Sequence, residues 1–220
     1  MRNTRVTAAD AIGYPVVLKA AAPDLVHKSD VGAVRLDLRD PAAVRTAYAA
    51  VAAALGEPWP PVVVQRMAHP GVELVAGVVH DRLFGSLVML GLGGVYTDLL
   101  ADRAFRLLPL TDLDAAAMWR SLRGAPLLTG YRRSSPVDVA ALEDLLLRVG
   151  RLAEDLPEVA ELDLNPVLAG PAGVLAVDVK LRLVPVTGEP NPYLRSLREP
   201  GAGVDENRRP SGHAGEGGRT

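Results

Sequence analysis

The sequence predicts an α+β protein with mostly antiparallel strand pairing, and three observations support this class. Strand-like runs occur in groups and do not alternate regularly with helices. The links between neighbouring runs are short enough for hairpins, and capping residues mark the beginnings of the helical segments. Repeated parallel βαβ units fit this order less well.

The first part of the chain predicts two strands and a helix. Residues 14–20 form an apolar, β-rich run that places Lys19 near the end of a buried strand. Residues 34–38 alternate strictly, so we expect a strand that carries its apolar residues on one face, namely Val34, Leu36 and Leu38. An aspartate before a proline opens a helix that a glycine closes, at Asp40, Pro41 and Gly56.

The remaining segments continue this pattern. Further strands are expected at residues 62–66, 72–80 and 86–90, before a glycine loop at residues 91–98. Thr111 and Asp114 resemble a capping box, which predicts a helix to about residue 123. A second helix is expected from Ser135 and Pro136 to about residue 156, followed by strands at residues 160–164 and 174–179. Residues 186–220, rich in glycine and proline, are predicted to form a disordered tail.

Composition excludes several classes of partner. The 220 residues include 24 basic and 26 acidic side chains, so nucleic acid is not an expected partner. No apolar run reaches the length of a membrane span, and no signal peptide is recognisable, so we expect no membrane partner and a cytoplasmic location. Since cysteine is absent, any metal must be held by oxygen or imidazole, which favours a hard cation such as Mg²⁺.

The densest group of polar side chains lies near residue 163. On a strand, Glu161, Asp163 and Asn165 share one face, and the next strand brings Asp178 to within reach of a shared cation. Mg²⁺ commonly takes one or two protein carboxylates and leaves its other positions to water and phosphate. The same pattern also suits the solvated face of an antiparallel sheet, and the pattern alone does not decide between the two.

Two loops are candidates for phosphate chemistry. The loop that contains Gly93 and Gly94 suits either a backbone nest for phosphate or a tight turn after a strand. His27 lies in a polar loop beside Lys28 and Asp30, where an exposed histidine and a reactive one are both consistent with the pattern. No nucleophile elbow and no zinc-protease motif occur.

Eight blocks in a fixed order carry a family resemblance: GYPVVLK, HKSDVGAV, VVVQRM, GVELVAGVVHD, FGSLVMLGLGG, APLLTGYR, ELDLNP and AVDVKLRL. Together they resemble the ATP-grasp domain of NDP-forming acyl-CoA synthetases and, more distantly, the beta chain of succinyl-CoA synthetase. The resemblance runs from about residue 11 to residue 184. It implies two subdomains that grip a nucleotide, a small one at residues 11–67 and a large one at residues 68–185.

The resemblance also implies roles for individual residues. Lys19 is expected to contact the nucleotide phosphates, Glu73 to contact the nucleotide, and His27 to accept the phosphoryl group. The adenine pocket is expected at a hinge formed by Gln65, Arg66 and Met67. Gly93 and Gly94 match a loop near the transferred phosphoryl group. Asn165 and Asp178 match the Mg²⁺ ligands, with Glu161 and Asp163 nearby.

The chain departs from the family pattern at Ala33, Asp98 and Arg133, where glycine, glutamate and glycine are usual. The helical segment that usually precedes GYPVVLK is expected to be missing, and no CoA-binding domain is recognisable. We therefore expect a component of an acid–thiol ligase that uses ATP or GTP with Mg²⁺ and needs a partner CoA-ligase subunit or domain. The alternatives are a noncatalytic nucleotide-sensing module of the kind fused to protein acetyltransferases, and a truncated, inactive remnant.

Overall fold

The computed structural model describes residues 4–21, 32–81, 83–94 and 101–185, which form two antiparallel sheets with helices. The helices are α1 (Thr4–Ile12), α2 (Pro41–Leu55), α3 (Asp112–Ser121), α4 (Ala125–Leu128) and α5 (Val139–Asp155). The strands are β1 (Val16–Ala20), β2 (Val34–Leu38), β3 (Val62–Arg66), β4 (Val72–Asp81), β5 (Gly85–Leu92), β6 (Arg103–Leu107), β7 (Val159–Gly170), β8 (Gly173–Ala176) and β9 (Val179–Leu183).

The small sheet has the order β2-β1-β3 and is covered by α1 and α2. Its core contains Val16 and Leu18 of β1 together with Val44 and Val51 of α2. Helix α2 begins and ends as the sequence predicts: Asp40 accepts a hydrogen bond from Ala43 N at 2.8 Å, and Gly56 adopts a left-handed conformation with φ of 67°. Because α1 and α2 cover one face of the small sheet, only the opposite face is turned toward the large sheet.

The large sheet has the order β6-β5-β4-β7-β8, and β9 pairs with the other end of β7. Helices α3 and α5 pack on one face, where Met118, Leu142 and Leu146 are fully buried. The predicted capping box of α3 is present, since Thr111 and Asp114 exchange hydrogen bonds. The α+β class with mostly antiparallel sheets is thus confirmed.

Two helix predictions were wrong in detail. The segment before Gly13 is helical, and Val6 and Ala9 of α1 pack in the small core, although no helix was expected there. Helix α5 begins at Val139 because Asp138, not Ser135, caps it by accepting a hydrogen bond from Ala141 N at 3.0 Å.

Two strand predictions also need correction. Strand β7 continues past Asn165 to Gly170, because a register shift against β4 accommodates Pro166, which has no N–H to donate. The last predicted strand is in fact two strands, β8 and β9.

The alternation of β2 is interrupted by a bulge. Asp37 has a positive φ of 54°, and the register with β1 shifts between Val16 and Leu18. As a result Leu38 is buried in the small core while Leu36 is 59% exposed, so the two leucines do not share a face.

Within the described ranges, no helix is long and apolar enough to cross a membrane.

Candidate functional site

A cleft of about 410 Å³ lies where the two sheets meet, and we call it the inter-sheet cleft. The outer face of the small sheet forms one wall, because β1 and β3 place Val17 opposite Gln65 and Lys19 opposite Val63. The bulge in β2 adds Leu36 to this wall. The large sheet supplies the second wall through Leu168, Leu175 and the backbone around Val177. The cleft therefore has apolar sides suited to a flat ring.

Lys19 is placed where the two walls approach each other. Its ammonium nitrogen donates a hydrogen bond to the backbone carbonyl of Val177 at 2.6 Å, across 158 residues of sequence. Val177 directly precedes Asp178, so the lysine charge and the aspartate lie at the same end of the cleft. The charge of Lys19, held at the junction of the two sheets, can attract an anionic group bound in the cleft.

The predicted hinge residues Gln65, Arg66 and Met67 all line the inter-sheet cleft. The guanidinium of Arg66 donates to the carbonyl of Ile12 at 2.9 Å, which fixes its side chain at the end of α1. Met67 N donates to Pro15 O at 3.1 Å, toward β1. Backbone groups alternate in direction along an antiparallel strand, so those of Arg66 face the open edge of β3.

A second cavity of about 430 Å³ adjoins the cleft and shares Gly71 and Glu73 with it. We call it the glycine cavity; its lining includes Leu92, Gly93, Gly94 and Leu127. Gly93 N donates to Glu73 O at 2.7 Å. A side chain at Gly94 would place its Cβ 2.6 Å from a carboxylate oxygen of Glu73, so this carboxylate lies directly against the glycine loop. Glu73, Gly93 and Gly94 thus share one wall of the glycine cavity.

The four predicted metal-site residues fall into two pairs. Asn165 and Asp178 are adjacent, since Asn165 N donates to Asp178 O at 3.2 Å, and their neighbours Pro166 and Val177 line the cleft. Glu161 instead accepts a hydrogen bond from Arg182 at 3.1 Å, which engages its carboxylate in an ion pair.

Asp163 belongs to the second pair and lies opposite Lys180 in the β7–β9 ladder. Burial raises the pKa of this carboxyl, although the charge of Lys180 acts in the opposite direction. Among the described residues, no group of three or more histidine, aspartate and glutamate side chains could hold a metal ion. Asn165 and Asp178 thus lie together beside the cleft, whereas Glu161 is engaged by Arg182 and Asp163 faces Lys180.

Two of the three positions that depart from the family pattern can be compared with the structure. Ala33 is fully buried in the small core, and its carbonyl accepts a hydrogen bond from Ala20 N at 2.9 Å. Arg133 follows Arg132, which has a positive φ of 47°. His27 and Asp98 lie outside the described residues.

The sequence patterns missed the apolar walls of the cleft. Leu36 was expected beside Leu38, and Leu168 and Leu175 carried no signal beyond their hydrophobicity. In the structure, Leu36 and Leu175 stand out as candidate binding-site residues because these large apolar side chains are 59% and 54% exposed.

Comparison with known proteins agrees with this architecture. The family model described as an ATP-grasp domain matches residues 2–183, so the chain belongs to the ATP-grasp family. One relative is the beta subunit of ADP-forming acetate–CoA ligase I of Pyrococcus furiosus. It is 38% identical over 177 residues, which cover 78% of this chain and 76% of the relative.

Longer relatives contain the same region as one part. ADP-forming acetate–CoA ligase I of Archaeoglobus fulgidus is 42% identical over 180 residues, which are 80% of this chain but 26% of the relative. A solved structure of acetyl-coenzyme A synthetase 1 from Ca. Korarchaeum cryptofilum, in complex with coenzyme A and Ca-AMPCP, has a TM-score of 0.79 and 42% identity. That match covers 84% of this chain and 82% of the other.

A second structure of the same synthetase contains Mg-AMPPCP and a phosphohistidine segment that points towards the nucleotide binding site. Its TM-score is 0.74 with 43% identity, over 84% of this chain and 83% of the other.

Proposed function

We propose that this chain is the ATP-grasp part of an ADP-forming acyl-CoA synthetase, which passes a phosphoryl group between Mg-nucleotide and a histidine. The observation that carries the proposal is the inter-sheet cleft, which is lined by Lys19 and the hinge and bordered by Pro166 and Val177, the neighbours of Asn165 and Asp178. The relatives named above, which are ADP-forming acetate–CoA ligases, support it.

The cleft suits a nucleotide bound with its base between the two sheets. The base would lie between Leu36 on one side and Leu168 and Leu175 on the other. The backbone C=O and N–H of Arg66, at the open edge of β3, would supply an acceptor and a donor for the edge of the ring. The ammonium of Lys19 would then exchange its bond to Val177 O for phosphate oxygens.

The residues present fit Mg²⁺ with few protein ligands. Asn165 and Asp178 would hold the ion, and phosphate oxygens and water would complete its coordination, as is usual for this cation. The bound ion would supply neutralisation of charge on the phosphates. We do not assign Glu161 to this role because its carboxylate is paired with Arg182.

The chemical step assigned to this chain is transfer to His27. A neutral imidazole nitrogen attacks the terminal phosphorus, a P–N bond forms, the bond to the bridging oxygen breaks, and the nucleoside diphosphate leaves. Glu73, Gly93 and Gly94 form the wall beside this end of the nucleotide. The phosphoryl group is then delivered to a partner CoA-ligase subunit or domain, where the acyl-CoA chemistry is completed.

Thermal melts with and without Mg-ATP test the binding site. Ligand at 100 times its dissociation constant adds about 2.7 kcal/mol to the stability of the fold. We expect Asp178→Ala to lose the Mg²⁺-dependent part of this gain, while Glu161→Ala retains it. The absence of any stabilisation of the wild-type chain at millimolar Mg-ATP would contradict the proposal, and equal gains in both variants would contradict the metal assignment.

Labelling with γ-labelled ATP tests the transfer. We expect an acid-labile, base-stable label that disappears in His27→Ala while nucleotide binding persists. A label that remains in His27→Ala would show that another residue is the acceptor. Nucleotide binding with no label, even with a phosphorylated partner present, would favour the noncatalytic nucleotide-sensing module instead.

A further inference from the structure

One buried carboxylate has no part in the function proposed above. Asp102 is 7% exposed and directly precedes strand β6. Its Oδ1 accepts a hydrogen bond from Arg123 N at 2.9 Å, and its Oδ2 accepts one from Gly124 N at 2.8 Å. Both carboxylate oxygens are therefore used to hold two consecutive backbone amides of a single turn.

This turn leads into one wall of the glycine cavity. Helix α4 begins at the next residue, Ala125, and its Leu127 lines the cavity. The opposite wall is formed by Leu92, Gly93 and Gly94, and the backbone carbonyl of Asp102 accepts a hydrogen bond from Leu92 N at 3.2 Å. Asp102 thus bonds to both walls of the cavity. Its side chain holds the turn before α4, and its backbone carbonyl holds Leu92.

The contact between the walls has no spare space. A Cβ at Gly124 would lie 2.4 Å from Leu92 Cδ1, so a larger residue there would have to displace the leucine side chain. The residue before Asp102 is also constrained, since Ala101 has a positive φ of 44°. A non-glycine residue keeps this conformation only where its surroundings fix it.

We propose that Asp102 is a positioning residue, which holds the glycine wall and the α4 wall of the cavity at the separation that the terminal phosphates of the nucleotide require. This inference rests on the proposed function, because that proposal is what puts the nucleotide phosphates in the glycine cavity. The ion pair with Arg123 contributes little, since Nε lies 3.8 Å from Oδ1 and the arginine side chain is 70% exposed.

Asp102→Asn tests the inference because an amide offers one acceptor oxygen where two amides need acceptors. We expect the ratio of ATP affinity to AMP affinity to fall at least tenfold, with AMP binding unchanged within twofold. Asp114→Asn is the matched control: it removes the same charge and weakens the capping box of α3 without touching the cavity. Its affinity ratio should stay within twofold of wild type. An unchanged ratio in Asp102→Asn would overturn the inference.

Hydrogen exchange gives a readout that does not depend on nucleotide. In Asp102→Asn, the amides of residues 91–94 and 123–128, except Pro126, should exchange at least tenfold faster than in Asp114→Asn, while the α5 amides exchange at similar rates in both. Uniformly faster exchange would indicate a merely structural role. If the asparagine variant does not fold, the same two measurements are made on Gly124→Ala, because its Cβ displaces the Leu92 side chain between the walls while the carboxylate of Asp102 stays in place.

A wild-type chain that binds no nucleotide would overturn the proposed function. The exchange rates of the two walls would still decide whether Asp102 couples them.

Discussion

Replacement of Gly93 by alanine perturbs the site by a single methyl group at a position where the surrounding atoms cannot retreat. The new Cβ would lie 2.9 Å from Glu73 C and 3.0 Å from Leu74 N. Both are backbone atoms of β4, which is paired on both sides within the large sheet. The glycine loop must therefore move, and the 2.7 Å bond from Gly93 N to Glu73 O must lengthen.

The magnitude follows from these two effects. Overpacking of a well-packed site costs about 2 kcal/mol, and the weakened hydrogen bond adds about 1 kcal/mol. We therefore expect Gly93→Ala to lose about 3 kcal/mol in the free energy of unfolding, which lowers the melting temperature by about 10 °C. Because Gly93 lines the glycine cavity, Mg-ATP should also stabilise the variant less than it stabilises wild type.

Thermal denaturation followed by circular dichroism, with and without Mg-ATP, measures both effects. Gly170→Ala is the matched control, since its Cβ would meet only Pro70 O, at an ordinary contact distance of 3.7 Å. It should melt within about 2 °C of wild type, because an alanine that fits also restricts the unfolded chain. A Gly93→Ala variant that melts as high as the control would refute the steric reasoning.

Three further predictions concern other parts of the fold. Burial raises the pKa of Asp163, and a carboxyl with a raised pKa in the folded state loses stability as the pH rises through the interval between its unfolded and folded values. In urea titrations at pH 7, Asp163→Asn should therefore have a larger free energy of unfolding than wild type, and this gain should vanish below about pH 4. A gain that does not change with pH would contradict this. Asp40→Ala should cost about 1 kcal/mol through loss of the α2 cap, whereas Asp40→Asn retains it. Glu143→Ala removes the acceptor 2.7 Å from the indole nitrogen of the buried Trp119 and should cost about 2 kcal/mol with a shift in tryptophan fluorescence, both absent in Glu143→Gln.

Local chemistry made several elements predictable from sequence. Helix α2 carries its cap, its first-turn proline and its closing glycine within its own segment, so its bounds follow from neighbouring residues alone. The capping box of α3 is likewise local. The expected roles of the hinge, Lys19, Gly93 and Gly94 came from the order of sequence blocks, and these residues line two adjoining cavities in the structure.

The features that the sequence did not predict depend on pairing between distant segments. The bulge at Asp37, which turns Leu36 into the cleft, arises from the register between β1 and β2. The ion pair of Glu161 with Arg182 depends on a strand, β9, whose limits no local signal marked. The cap at Asp138 competed with an equally plausible serine–proline pair three residues earlier.

The two hydrophobic cores share no residue, since one is built on the small sheet with α1 and α2 and the other on the large sheet with α3 and α5. Each core can therefore loosen while the other persists, so the melting transition of the apo chain should be broader than that of one cooperative unit of this size. A ligand gripped between the sheets favours the state in which both halves are intact. Calorimetry of the Mg-ATP complex should accordingly show a single, sharper transition, so that the nucleotide makes the two halves cooperative as well as stable.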